Sequence, residues 1–205
     1  MGAARGPGPV VWLVRHAESV WNKEARVQGQ GPAPGLTAAG LAQARGLAEG
    51  LAGSGATTVV TSDLRRAVET ARLIAGRLGV VLQTEPRLRE RSLGSLEGGP
   101  SSSLVTAVTG YDDQRVVDLD ARAPGGESLR ELYTRASAWL AEVRTAPRDL
   151  VLVAVTHGGF LRVLRDCLAG VAPEAALVPP TPNGVVWRAE LATGKVDEAP
   201  ALPRA

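Results

Sequence analysis

The chain has 205 residues, of which 44% are hydrophobic and 21% are charged, and its formal net charge is +2 at pH 7. Its basic residues are dispersed, which argues against a nucleic-acid or membrane-binding patch but allows attraction of small anions. No apolar run approaches the ~18 residues that a membrane span needs. The sequence predicts one cytoplasmic domain over residues 1–205, with loose termini at residues 1–9 and about 195–205.

Two segments of the sequence have the length and β-branched content of buried strands, and each ends at a histidine. The first, Val10 to Val14, is followed by Arg15 and His16, and the second, Leu150 to Thr156, is followed by His157. The chain has no other histidine. Ligands of open α/β sheets bind at the carboxyl ends of strands. We therefore expect both imidazoles and a guanidinium at one sheet edge, in a site that binds an anion.

Strand and helix patterns alternate along the rest of the chain. This alternation predicts an α/β fold with a mainly parallel sheet and helices on both faces. The predicted helices are Thr37 to Leu51, Leu64 to Leu78 with Ser62 and Asp63 as cap candidates, a short Ser101 to Gly110, Ser128 to Thr145 and Phe160 to Leu168, and the further strands are Thr57 to Thr61, Val80 to Leu82 and Gly184 to Leu191.

Four motifs in the same order resemble those of the histidine phosphatase superfamily, the phosphoglycerate mutase-like proteins. This resemblance implies a three-layer αβα sandwich whose central sheet has one antiparallel strand. A single motif of this kind is a modest signal, whereas four in order are a strong one. The motifs are Leu13-Val14-Arg15-His16-Ala17-Glu18-Ser19, Ser62-Asp63-Leu64-Arg65-Arg66-Ala67, Leu88-Arg89-Glu90-Arg91 and Thr156-His157-Gly158.

The resemblance implies a catalytic role for five residues. His16 would be the nucleophile that becomes a phosphohistidine, Glu90 the general acid, and His157 a donor to a phosphoryl oxygen. Arg15 and Arg66 would bind the phosphoryl oxygens, since a guanidinium is permanently charged and matches their geometry. A neutral imidazole can attack phosphorus when its other nitrogen is held as a donor, as a backbone carbonyl can do.

Further substrate contacts are expected on the loop behind the nucleophile and at the second histidine. The loop offers Asn22, Arg26, Gln28 and Gly29, and Gly158 would let the backbone approach a phosphate closely. The sequence has no metal-binding motif, so we expect no metal and no cofactor. The expected partner is a small phosphorylated metabolite, without nucleic acid or membrane, and a homodimer stays open.

Three functions remain open at this stage, and a metal-independent phosphomonoester hydrolase is favoured. Mutases of the family carry a lysine and an arginine pair after the acid block, whereas residues 98–126 here contain only the separated Arg115 and Arg122 as basic residues. This departure disfavours a 2,3-bisphosphoglycerate-dependent mutase. A non-catalytic phospho-ligand binding or regulatory protein is disfavoured because it has no evident use for Glu90. Composition suggests a bacterial protein, and nothing in the sequence names the substrate.

Overall fold

The computed structural model describes residues 8–112 and 115–199, and these form a sheet covered by helices on both faces. The helices are α1 Val20–Lys23, α2 Ala38–Gly50, α3 Arg65–Leu78, α4 Thr106–Thr109, α5 Leu129–Arg144 and α6 Gly158–Ala169. The strands are β1 Val10–Arg15, β2 Thr58–Thr61, β3 Val81–Thr84, β4 Tyr111–Asp112, β5 Arg115–Val116, β6 Val151–Thr156, β7 Val186–Glu190 and β8 Lys195–Glu198.

Six of the strands make one sheet in the order β3-β2-β6-β1-β7-β8. The pairings of β1 with β6, β6 with β2, and β2 with β3 are parallel, whereas β7 runs antiparallel to both of its neighbours. The fold class is therefore confirmed: a mainly parallel sheet with one antiparallel strand in an αβα sandwich. A separate two-stranded antiparallel ladder is formed by β4 and β5.

The sheet separates two hydrophobic cores, because side chains alternate between its faces along each strand. Val11 and Leu13 of β1 belong to the core under α5 and α6, whereas Val14 belongs to the core under α2 and α3. Both cores exclude solvent, since Phe160 in the first and Ile74 in the second are fully buried. No helix in the described ranges is long and apolar enough to cross a membrane.

Most of the predicted helices and strands occur with small shifts, but the predicted helix Ser101 to Gly110 is divided into a 3₁₀ turn at Ser101–Ser103 and the short α4. One capping prediction was wrong. Ser62 and Asp63 do not cap α3, which begins after Leu64 without a side-chain cap. Asp63 instead forms an ion pair with Arg89, and Ser62 contacts the second histidine, as described below. The helix that was expected from Phe160 begins earlier, directly after His157.

The predicted loose termini differ from the structure where it describes them. Lys195–Glu198 forms the edge strand β8, which pairs with β7 around a turn with Gly194 at φ 73°. The carbonyl of Pro9 accepts a hydrogen bond from the amide of Leu191, so the chain is already tied to the sheet there. Residues 1–7 and 200–205 lie outside the described residues.

The cap of α5 gives a direct test of local stability. The buried Ser128 hydroxyl accepts from the Glu131 amide at 3.2 Å, and the Glu131 carboxylate accepts from the Ser128 amide at 2.8 Å. We expect Ser128→Ala to lower the free energy of unfolding by about 1 kcal/mol, as cap removal usually does. Urea denaturation measures this change.

Thr134→Ala, at an exposed position of the same helix, is the matched control, and its effect should stay within about 0.5 kcal/mol. Equal destabilisation by both substitutions would contradict a specific role of the cap.

Candidate active site

The two histidines meet at the carboxyl edge of the sheet. β1 and β6 are parallel neighbours in which Arg15 lies opposite Thr156, so the next residue of each strand is a histidine. The ring centroids of His16 and His157 are 5.0 Å apart, with an angle of 58° between the planes. Both side chains are buried. Two imidazoles that are far apart in sequence are thereby brought into one site.

The hydrogen bonds around His16 select one tautomer of its ring. Its Nδ1 lies 2.8 Å from the carbonyl oxygen of Ala17, an acceptor, so Nδ1 carries the proton and Nε2 keeps the lone pair. Thr70 anchors the backbone of Ala17, since its Oγ1 accepts from the Ala17 amide and donates to the Arg66 carbonyl. Burial, followed by the charges of Arg66 and Arg15, lowers the pKa of His16 well below its usual value. The ring is therefore neutral at neutral pH.

Ser62 sets the orientation of His157, a contact that sequence reasoning missed. The Oγ of Ser62 lies 2.6 Å from Nε2 of His157 and also accepts from the Leu64 amide at 3.4 Å. The other ring nitrogen, Nδ1, is buried and has no partner among the described residues. Burial, followed by the charge of Arg66, lowers the pKa of His157 well below its usual value.

Two arginines extend the site, and backbone carbonyls hold both of them. Arg66, in the first turn of α3, is 1% exposed and donates to the carbonyls of Gly29 at 2.7 Å and Gly31 at 3.1 Å. Arg15 donates to the carbonyl of Thr181. Burial lowers the pKa of Arg66 to about 10 and also lowers that of Arg15, so both stay charged at neutral pH. Each has a buried Nε–H without a partner in the described chain, a donor available to an anion.

Glu90 lies against the first turn of α6. Its Oε2 accepts from the amide of Gly159 at 2.9 Å. Its Oε1 accepts from the amide of Phe160 at 3.1 Å and from the amide of Arg91 at 2.9 Å. Two hydrogen bonds on Oε1 and one on Oε2 leave Oε2 as the oxygen with room for a proton. The carboxylate also interacts favourably with the helix N-terminus.

The two glycines after His157 make room for side chains of the site. A Cβ at Gly159 would lie 2.4 Å from Oε1 of Glu90, and a Cβ at Gly158 would lie 3.3 Å from the guanidinium of Arg15. These glycines therefore leave space for two side chains of the site. They admit Glu90 and Arg15, which in turn face the anion site.

A cavity of about 270 Å³ opens beside these residues. Its lining includes Arg15, His16, Arg66 and Glu90 and, of the other expected substrate contacts, Arg26, Gln28 and Gly29. Among the described residues, the lining does not include His157, Gly158 or Asn22. Asn22 uses its Oδ1 to accept from the backbone and hydroxyl of Ser19 and from the side chain of Asn183.

Arg91 anchors the backbone beside the cavity, a role that sequence reasoning missed. Its buried guanidinium donates to four carbonyls, those of Val108, Thr109, Ala121 and Glu127. Leu104 and Tyr111, which lie on either side of Val108 and Thr109 in the sequence, contribute to the cavity wall. Nowhere in the described ranges do three His, Cys, Asp or Glu side chains come together as a metal site.

Comparison with known proteins agrees with this geometry. The family model described as the histidine phosphatase superfamily, branch 1, matches residues 11–197. A relative described as probable phosphoglycerate mutase GpmB, from Yersinia enterocolitica, is 39% identical over 166 residues, which are 80% of this chain and 77% of that protein.

Two solved structures illustrate the similarity of the fold. A putative alpha-ribazole-5'-P phosphatase from Escherichia coli has 25% identity and a TM-score of 0.80 over 97% of this chain and 98% of its own. A mycobacterial glucosyl-3-phosphoglycerate phosphatase in complex with VO3 has 26% identity and a TM-score of 0.75 over 96% and 99%. With the family model covering almost the whole described chain, this protein belongs to the histidine phosphatase superfamily, branch 1.

Proposed function

We propose that this protein is a metal-independent phosphomonoester hydrolase that works through a phosphohistidine at His16. The observation that carries the proposal is the hydrogen bond from Nδ1 of His16 to the Ala17 carbonyl, which leaves the Nε2 lone pair on a neutral ring. The guanidinium groups of Arg15 and Arg66 line the same cavity as this ring. A neutral nucleophile beside fixed cations suits attack on a dianionic phosphoryl group.

In the first step, Nε2 of His16 attacks phosphorus and the bond from phosphorus to the leaving oxygen breaks. Glu90 gives a proton from Oε2 to that oxygen, so an alcohol leaves. Arg15 and Arg66 neutralise the charge on the equatorial oxygens, and the Nδ1–H of His157 donates to one of them. Arg15, Arg66 and His157 each have a buried nitrogen without a partner among the described residues, which supports this assignment.

In the second step, water attacks the phosphorus atom and the bond to Nε2 breaks, which releases inorganic phosphate. Glu90, now ionised, accepts the proton of the attacking water and regains its acid form. Each turnover thus returns His16 to the unmodified ring and Glu90 to its acid form. The likeness to solved structures described as phosphatases supports hydrolysis as the overall reaction.

A second candidate function is a phosphoglycerate mutase primed by 2,3-bisphosphoglycerate. The relative from Yersinia enterocolitica that is described as a probable phosphoglycerate mutase supports mutase activity. Against it stands the cavity, whose lining includes no lysine and neither Arg115 nor Arg122 among the described residues. The cytoplasmic location and the homodimer remain predictions.

The first test is hydrolysis of para-nitrophenyl phosphate in excess EDTA. We expect activity that tolerates EDTA and falls by on the order of 10³ or more in His16→Ala, since the covalent route is lost. His16→Gln, which keeps much of the ring's volume, should lose as much, and circular dichroism should show that both variants are folded. Activity that survives either substitution would exclude His16 as the nucleophile.

The mutase alternative has its own test with 3-phosphoglycerate as substrate. The hydrolase account predicts release of inorganic phosphate with or without 2,3-bisphosphoglycerate, because water is the acceptor. Phosphorus NMR distinguishes inorganic phosphate from 2-phosphoglycerate. Formation of 2-phosphoglycerate that depends on the primer, without phosphate release, would favour the mutase instead.

The protonation state of the nucleophile is measurable by proton NMR. Because burial and two arginines disfavour the charged ring, we expect His16 to remain neutral as the pH falls through ~6.5, where an unperturbed histidine is half protonated. His157→Gln assigns the two imidazole signals, as the chain has two histidines. A titration midpoint of His16 at or above ~6.5 would contradict the account.

A further inference from the structure

The cavity reaches beyond the residues that would hold a phosphoryl group. At about 270 Å³ it is near the lower end of the range for small-molecule pockets, roughly 300–1,000 Å³. Its lining includes the apolar side chains of Val27, Leu93, Leu104 and Leu132. Such a space suits a phosphate ester with a short carbon body.

Arg162 is a cation of this cavity that the proposed phosphoryl site does not use. It lies on α6, four residues after Gly158 and three after Gly159, and therefore on the same face of the helix as those glycines. Arg15 and Glu90 approach the helix at these two glycines. The charge of Arg162 contributes to lowering the pKa of Arg15, after burial, which places the two guanidinium groups near each other.

The other arginines of the cavity already have acceptors. Arg91 donates to four carbonyls, Arg66 to two, Arg15 to that of Thr181, and Arg26 to the carbonyl of Gly98. Arg162 differs, because it has no carbonyl or carboxylate acceptor in the described chain; its Nε, like those of Arg15 and Arg66, is buried without a partner. A buried guanidinium N–H without an acceptor is costly, so a ligand that supplies one gains binding energy.

Tyr111 is the polar neighbour of Arg162 across the cavity. Its hydroxyl interacts with the guanidinium groups of Arg162 and Arg91, and burial raises its pKa, so it remains a neutral donor. Glu90 is the one acidic residue of the described lining, and its carboxylate accepts from three backbone amides. Five arginines against one carboxylate leave a positive excess inside the cavity.

We propose that Arg162 and Tyr111 form a second anion subsite, and that the substrate is a small phosphomonoester with an acidic group on a short carbon chain. This inference rests on the proposed function, because it assumes that the phosphoryl group occupies the site of His16, Arg15 and Arg66. The acidic group accepts from the Arg162 guanidinium and the Tyr111 hydroxyl, a charge-assisted pair of hydrogen bonds.

Arg115 and Arg122, the basic residues of the stretch 98–126, do not supply the second cation. Arg115 and Arg122 lie in the stretch where related mutases carry their additional basic residues, but the cavity lining in the described chain includes neither. Arg122 forms an exposed ion pair with Glu131 at 3.1 Å. The second cation instead comes from α6, through a single residue.

Binding to the His16→Ala protein tests the subsite without turnover. Calorimetry compares 3-phosphoglycerate with glycerol 3-phosphate, which has a hydroxymethyl group in place of the carboxylate. We expect 3-phosphoglycerate to bind about tenfold more tightly or better, and Arg162→Met in the same protein to remove most of that preference. Propane-1,3-diol bisphosphate as a third ligand distinguishes a second phosphate from a carboxylate as the acidic group.

Arg122→Met is the matched control, since it removes an arginine outside the cavity and should leave the preference intact. Arg162→Lys should retain part of the preference, which a purely structural role would not predict. Equal affinities for the two esters, a preference that survives Arg162→Met, or no binding of either ester would each overturn the subsite. An intact preference together with no hydrolysis by the unsubstituted protein would overturn the proposed function alone.

Discussion

The site depends first on the parallel pairing of β1 with β6. Because Arg15 lies opposite Thr156, each strand delivers a histidine at its next position, and the rings meet at 5.0 Å. A slip of one residue would turn the side chains of one strand to the opposite face. Such a slip would also move Val11 and Leu13 out of the core that buries them. The packing of both faces therefore fixes the distance on which the proposed chemistry depends.

Burial then determines which groups at that edge of the sheet carry a charge. The pKa values of both imidazoles are lowered, because burial and the nearby guanidinium groups both disfavour a positively charged ring. Arg66 keeps its charge, since even a pKa of about 10 lies above neutrality, and carbonyls of the loop at Gly29 and Gly31 hold it. The result is a preorganised set of donors around a neutral nucleophile, which needs little rearrangement when an anion binds.

The sequence predicted those parts of the site that follow from local patterns. Strand-like runs that end at His16 and His157 indicated the sheet edge, and a parallel sheet explains why they meet. The role of Ser62 was hidden because it requires β2 to lie next to β6, a neighbour in space and not in sequence. Arg162 is one of two arginines on an amphipathic helix, a pattern shared by many solvated residues. The strand Lys195–Glu198 is short and polar, so only its pairing with β7 reveals it.

The most direct test of a phosphohistidine mechanism is the stereochemical course at phosphorus. A phosphorothioate monoester made chiral with ¹⁸O would be hydrolysed in water enriched in ¹⁷O, and the configuration of the thiophosphate product would be determined. Two successive in-line displacements, first by Nε2 of His16 and then by water, each invert the centre. The account therefore predicts net retention. Net inversion would show that water attacks the ester directly, and the role assigned to His16 would then be wrong.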